Sequence, residues 1–191
     1  MMDDEYLNIA AIRPCTEAEG PGKRFGIWLQ GCLQRCPGCC NPHMQEIKPA
    51  CVTKVSELIR HIELARNQYN LEGISLIGGE PLLQVRGLSQ LVVWCKSHGL
   101  TVLIYTGFLY QELISSTDLF IKTLLANVDI LVDGSYNQDL PDIERGWVGS
   151  RNQKVIFLTE KYPKGIEFQK HERMMEIQIT NSTISVNGWP F

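Results

Sequence analysis

The sequence predicts an α/β fold: a partial (βα) barrel on a parallel sheet of about five or six strands, with a β-hairpin added at the C-terminus. Three observations carry that expectation. Five short runs are rich in Ile, Val and Leu with little alternation, as expected of strands covered on both faces. Helical repeats fill the gaps, and strand alternating with helix implies parallel pairing through right-handed crossovers. The Gly-, Cys- and Asp-bearing segments follow the apolar runs, at the strand ends where α/β folds build their sites.

The first run is "FGIWLQ" (25–30), followed by the loop "GCLQRCPGCCNP" (31–42). In "TKVSELIRHIELARNQY" (53–69), Val55, Leu58, Ile59, Ile62 and Ala65 form one helical stripe, with Thr53 placed as N-cap. The second run, "GISLIG" (73–78), leads into "GGEP" (78–81). Val85, Leu88, Leu91, Val92 and Cys95 repeat the helical stripe, and Gly99 in "HGL" supplies a stop. The third run, "LTVLIY" (100–105), precedes "TGF" (106–108). A helical stretch over 109–126, broken near Ser115–Asp118, leads to the fourth run, "VDILVD" (128–133), and to "DGSY" (133–136). The fifth run is "KVIFL" (154–158). Such units are too few for an eight-stranded barrel. Finally Met175, Ile177, Ile179, Ile184 and Val186 alternate around an Asn-Ser turn, which predicts an antiparallel hairpin. Residues 1–191 read as one domain, with a core over about 20–158 and an extension over 159–191.

Composition bounds the function. Apolar residues make up 44% and charged residues 20%, ordinary for a globular chain. No run approaches the ~18 apolar residues of a membrane span. The acidic start "MMDDEYLNIAAIRP" lacks the basic and apolar regions of a signal peptide, so the expectation is a cytoplasmic protein with no membrane partner. A net charge of −3 argues against nucleic acid. Seven cysteines in a chain without an export signal read as metal-binding or catalytic rather than as disulfides.

Cys32, Cys36 and Cys39 form a C-x3-C-x2-C arrangement. Thiolates hold iron–sulfur clusters, and three from one loop leave the fourth iron of a cubane open for chemistry. Cys40, directly after Cys39, is expected to point away from the same metal and to sit beside it as a small buried group. Zinc is the competing reading, with Cys15, Cys51 or His43 as fourth ligand, although only one C-x2-C knuckle is present. His43 otherwise reads as a surface residue, Trp28 and Met174–Met175 as core, and "SVNGW" as an ordinary Asn-Gly turn.

With the cysteine loop and Gly78-Gly79-Glu80-Pro81 both in view, the chain resembles the radical S-adenosylmethionine (SAM) superfamily. Within it, the segments "GPGKRFGIWLQGC", "CPGCCNP", "GISLIGGEPL", "IYTGF", "VDILVDGSYNQDL" and "GWVGSRNQKV" are similar to the activating proteins of anaerobic ribonucleotide reductase. The resemblance implies that Cys32, Cys36 and Cys39 bind a [4Fe–4S] cluster whose free iron takes SAM. One electron then yields a 5′-deoxyadenosyl radical that removes hydrogen from a glycine Cα of a partner glycyl-radical enzyme, with flavodoxin or ferredoxin as donor.

It further implies roles for single residues. Gly78, Gly79 and Glu80 receive the methionine ammonium, Thr106 the methionyl or ribose part, and Asp133 the ribose hydroxyls. Gly38 and Cys40 border the adenine, and Ser150, Asn152 and Gln153 line the rest. Two departures stand out. Cys40 occupies a position that is commonly aromatic in those activators, and the chain continues for over thirty residues past "SRNQKV". The alternatives are a radical SAM enzyme acting on a peptide or small molecule, and a zinc-stabilised binding module.

Overall fold

The computed structural model describes residues 4–169, 175–179 and 184–188. In chain order the elements are β1 (Tyr6–Thr16), β2 (Arg24–Leu29), β3 (Cys51–Lys54), α1 (Val55–Tyr69), β4 (Gly73–Gly78), α2 (Val85–Ser97), β5 (Thr101–Tyr105), α3 (Tyr110–Ile114), α4 (Leu119–Asn127), β6 (Ile130–Asp133), β7 (Lys154–Phe157), β8 (Met175–Ile179) and β9 (Ile184–Gly188). Seven strands form one sheet in the order β3-β1-β2-β4-β5-β6-β7. β2, β4, β5 and β6 are parallel neighbours. β1, β3 and β7 flank them in antiparallel fashion.

The parallel block therefore has four strands rather than five or six. The predicted fifth run is present as β7 but turns back antiparallel to β6. No α-helix intervenes between β6 and β7 to carry the chain back to the starting end of the sheet. β1 escaped the reading because Arg13 and Pro14 interrupt its apolar positions, and only Leu7 and Ile9 reach the core. β3 is a short, largely exposed edge strand. Thr53 pairs within β3 instead of capping α1; Lys54 takes the N-cap position, and the Thr53 hydroxyl donates to Glu57 Oε2 at 2.9 Å. The break in the third helical stretch is real, with α3 and α4 on either side of Ser115–Asp118.

Side-chain alternation divides the sheet into two faces. Phe25, Ile27, Leu29, Ile74, Leu76, Val102, Ile104 and Leu131 point to the helical layer and join Leu58, Ile62, Leu88, Leu91 and Leu124 in one core. On the other face, the amino-terminal half is filled around Arg24, which is fully buried. Its guanidinium donates to Ser75 Oγ at 2.8 Å, to Thr101 Oγ1 and Tyr162 Oη at 3.1 Å each, and to the carbonyls of Pro21 and Ile74. That satisfies a charge which burial alone would make costly. Leu103, Ile130 and Tyr162 complete this plug. The carboxyl-terminal half of the same face carries Trp28, Ile77 and Tyr105 and borders a cavity.

β8 and β9 pair with each other as a separate two-stranded sheet, so the hairpin is not an added strand of the main one. Met175 is 43% exposed rather than part of the core. Met174 and the Asn-Ser turn lie outside the described residues.

Candidate active site

Four successive parallel strands end at one cavity of about 730 Å³, within the range of small-molecule sites. Behind β2 come Cys32, Gln34, Cys36, Cys39 and Cys40; behind β4, Gly78, Gly79 and Glu80; behind β5, Thr106 and Gly107; behind β6, Gly134, Ser135 and Tyr136. The opposite wall is made by Glu17–Gly20, by Ile143–Gly149 with Gln153, and by Phe168, Gln169 and Val186–Gly188.

The cysteine loop is an irregular turn. Gly31 and Gly38 have φ of 101° and 69°, and the Cys39 amide donates to the Cys36 carbonyl at 3.3 Å. All seven cysteines are free thiols. Burial pushes the Cys32 thiol up. The Cys40 thiol, donating to the Cys39 sulfur, pulls Cys39 down and is itself pushed up. Cys40 is exposed on the cavity wall, not a buried packing group, and it approaches Cys39 instead of pointing apart. The alternation of neighbouring side chains holds in strands and fails in this turn.

Gly78 and Gly79 are required by the crossing of two backbones. A Cβ on Gly78 would stand 2.5 Å from the Leu29 nitrogen, and one on Gly79 2.3 Å from the Gly31 oxygen. Through these contacts the amides of Gly79 and Glu80 donate to the carbonyls of Leu29 and Gly31, both at 2.8 Å. The GGEP turn is thus bolted to the base of the cysteine loop. Glu80 is 2% exposed. Its carboxylate accepts from the Leu82 amide at 3.0 Å, from Thr106 Oγ1 at 2.8 Å and from the Gly107 amide at 2.8 Å. Burial nonetheless pushes its carboxyl above the ordinary range. Glu80 clasps the β4 and β5 loops together, and Thr106, also accepting from the Phe108 amide at 3.2 Å, belongs to the same clasp.

Other expected residues stand elsewhere. Asp133 does not line the cavity; its oxygens accept from the Tyr110 amide at 2.8 Å, where α3 begins, and from the Lys154 amide at 3.2 Å. It ties β6 to α3 and β7. Gly38 also lies off the wall; a Cβ there would meet Gln138 Oε1 at 2.4 Å. Of Ser150, Asn152 and Gln153, only Gln153 reaches the cavity. His43 is exposed in a short 3₁₀ turn. Trp28 packs with Met44 and Ile77 and also lines the cavity.

Several lining residues went unmarked in the sequence. Tyr105 is the last residue of β5, and its buried hydroxyl has no hydrogen-bond partner among the described residues. Burial, with Glu19 and Cys40 nearby, pushes that hydroxyl well above its usual value. Burial also pushes up Glu19, which accepts from the Gly188 amide at 2.9 Å. Trp147 holds φ of 53° on the wall, a conformation that bulky residues rarely take outside functional sites. None of these stands in a spaced motif, so for Trp147 only the segment "GWVGS" offered a signal, and for Tyr105 and Glu19 there was none.

The donor set fits an iron–sulfur cluster: three free thiols on one wall, with an open volume beyond them. Among the described residues no three His, Cys, Asp or Glu side chains converge as ligands to a single ion must. A family model described as a 4Fe-4S single cluster domain matches residues 18–156. The chain belongs to that family. Within this 4Fe-4S family it is 30% identical to the anaerobic ribonucleoside-triphosphate reductase-activating protein of Enterobacteria phage T4, over 78% of this chain and 93% of the relative. It is also 30% identical to the protein of the same name from Escherichia coli K12, over 80% and 99%. The pyruvate formate-lyase 1-activating enzyme of E. coli K12 is 26% identical over 95% of this chain and 68% of its own length. The 4Fe-4S match ends at residue 156, before β8 and β9.

Proposed function

We propose that this chain is a radical SAM activase that installs a glycyl radical on a partner enzyme of the anaerobic ribonucleotide reductase or pyruvate formate-lyase kind. The observation that carries the reading is that the three thiols and the GGEP turn line one cavity, with the two loops hydrogen-bonded to each other. Together, a bound [4Fe–4S] cluster and SAM would supply the one-electron chemistry that removes a hydrogen atom from a glycine Cα. Cys32, Cys36 and Cys39 hold the cluster. The carbonyl edge of Gly78-Gly79 would receive the methionine ammonium, and the hydrogen bonds between the two loops hold that edge beside the thiols. Thr106 and Glu80 keep the β4 and β5 loops in one arrangement on the wall that faces the cofactor. Trp28, Ile77 and Tyr105 form a floor that excludes water from the reacting centre. The cavity lies on the sheet face away from the helices, where a polypeptide segment can enter. Flavodoxin or ferredoxin is the electron donor, in the cytoplasm.

The test is anaerobic reconstitution followed by reduction in the presence of SAM and a purified glycyl-radical enzyme. An organic radical in the partner's EPR spectrum is expected. Cys32→Ala, Cys36→Ala and Cys39→Ala each lose iron and abolish 5′-deoxyadenosine formation, because a cubane on two thiolates is labile. Cys40→Ala keeps most of both. Loss of cleavage in Cys40→Ala overturns the ligand assignment, and a colourless wild-type protein holding one zinc overturns the enzyme reading.

A further inference from the structure

The hairpin β8–β9 is mounted with its apolar side outward. Its polar side is engaged with β1 and the loop that follows. Arg13 Nε donates to Asn187 Oδ1 at 2.9 Å, while its terminal nitrogens donate to Gln178 Oε1 and, at 2.9 Å, to Ser185 Oγ. Asn187 Nδ2 donates to Thr16 Oγ1 at 3.0 Å, and the Glu17 amide donates to Glu176 at 2.8 Å. The alternate residues form the other face: Met175, Ile177, Ile179, Ile184 and Val186 are 43%, 57%, 73%, 71% and 54% exposed. A one-residue slip would bury this stripe and expose the polar set. The bonds to Arg13, Thr16 and Glu17 hold the register against that slip. An apolar face kept in solvent by specific bonds marks an interaction surface rather than a packing fault.

The position of the face indicates what covers it. Val186 and Gly188 are cavity-wall residues, so the stripe runs directly into the mouth of the site. Ile143 and Phe168, 71% and 57% exposed, line the same wall and continue the apolar collar. A reaction that abstracts hydrogen from a polypeptide Cα needs that polypeptide in the mouth and water out of it. The macromolecule that seals the mouth must lie over the collar and over the stripe continuous with it. The geometry points to the outer face of β8–β9 as the docking surface for the partner protein that presents the target glycine. The surface is an element of this chain, lying beyond the 4Fe-4S family match. This inference rests on the activase reading and deepens it: the hairpin selects the partner, and the cavity performs the chemistry.

Ile177 and Ile184 lie on the stripe but not on the cavity wall. The test uses the reconstituted full chain with Ile177→Lys/Ile184→Lys, and with Ile177→Thr/Ile184→Thr, which keeps β-branching. The probes are the anaerobic ribonucleotide reductase and the pyruvate formate-lyase of the same genome. SAM cleavage without partner stays at the wild-type rate in both variants. Affinity for one of the two probes, read by surface binding without SAM, falls at least tenfold, and the partner concentration giving half-maximal glycyl radical rises by the same factor. Unchanged affinity and half-saturation in both variants overturn the docking surface and leave the activase reading standing. Stripe-dependent binding with no radical on the bound probe defeats the activase reading and leaves the docking surface standing. A wild-type dimer that either variant converts to monomer assigns the stripe to a second copy of this chain, and overturns the proposal.

Discussion

At the scale of single residues, the site is decided by which polar atoms the protein itself satisfies. Glu80, Thr106 and Asp133 were each candidates for cofactor contact, and each has protein donors within 3.2 Å. Tyr105 is the reverse, a buried hydroxyl on the cavity side with no partner among the described residues. A buried donor left unpaired costs roughly 1–3 kcal/mol. Tyr105→Phe is therefore expected to raise the stability of the cofactor-free protein by about 1 kcal/mol. It also weakens retention of whichever ligand meets that hydroxyl. Urea unfolding of the apoprotein checks the first outcome; a midpoint below wild type refutes it. The C-x3-C-x2-C spacing was legible because it is local. Tyr105 was not, since it resembles any other aromatic residue at a strand end.

Among the elements, the segment between β6 and β7 does the most to close the cavity with no regular structure of its own. Asp142 holds it. Burial works against the ionised Asp142, but the amides of Arg145 and Glu144 and the Arg145 guanidinium at 2.6 Å outweigh it and bring its carboxyl below the usual value. Arg145 also donates to the carbonyls of Gln153 and Ser150, so one ion pair pins the middle of the wall to its end near β7. Because the folded-state value is depressed, the stabilisation is complete above the ordinary Asp value near 4 and is lost as pH falls through the lower folded value. Asp142→Asn, which leaves the partly buried Arg145 guanidinium without its counter-charge, is expected to cost about 2 kcal/mol at neutral pH. It also flattens the acid limb of the stability curve below pH ~4. Thermal melts of both proteins from pH 3 to 7 check this, and parallel curves would exclude it. In the sequence, this wall was only a stretch between two apolar runs.

Across the whole molecule, the sheet and the cofactor site are separately stabilised. The core between the sheet and α1, α2 and α4 contains none of the cysteine-loop residues, whereas that loop is fixed by a few backbone bonds and its glycines. Removing the iron is thus expected to raise amide exchange by at least tenfold over residues 31–45, with β4, β5 and α2 keeping wild-type protection. Mass spectrometry of apo and reconstituted protein reads this directly. Loss of protection throughout the sheet would mean that the cluster supports the fold. The five apolar runs, the helices between them, the cysteine loop and GGEP were legible in the sequence, because periodicity and spacing are local properties of a chain. The parallel direction it predicted for the fifth run was not correct. That β7 turns back and that Asp133 bonds the starts of α3 and β7 emerged from the folded arrangement. It alone showed that the hairpin faces its apolar side outward, since each of these depends on which distant backbone or side chain lies within hydrogen-bonding reach.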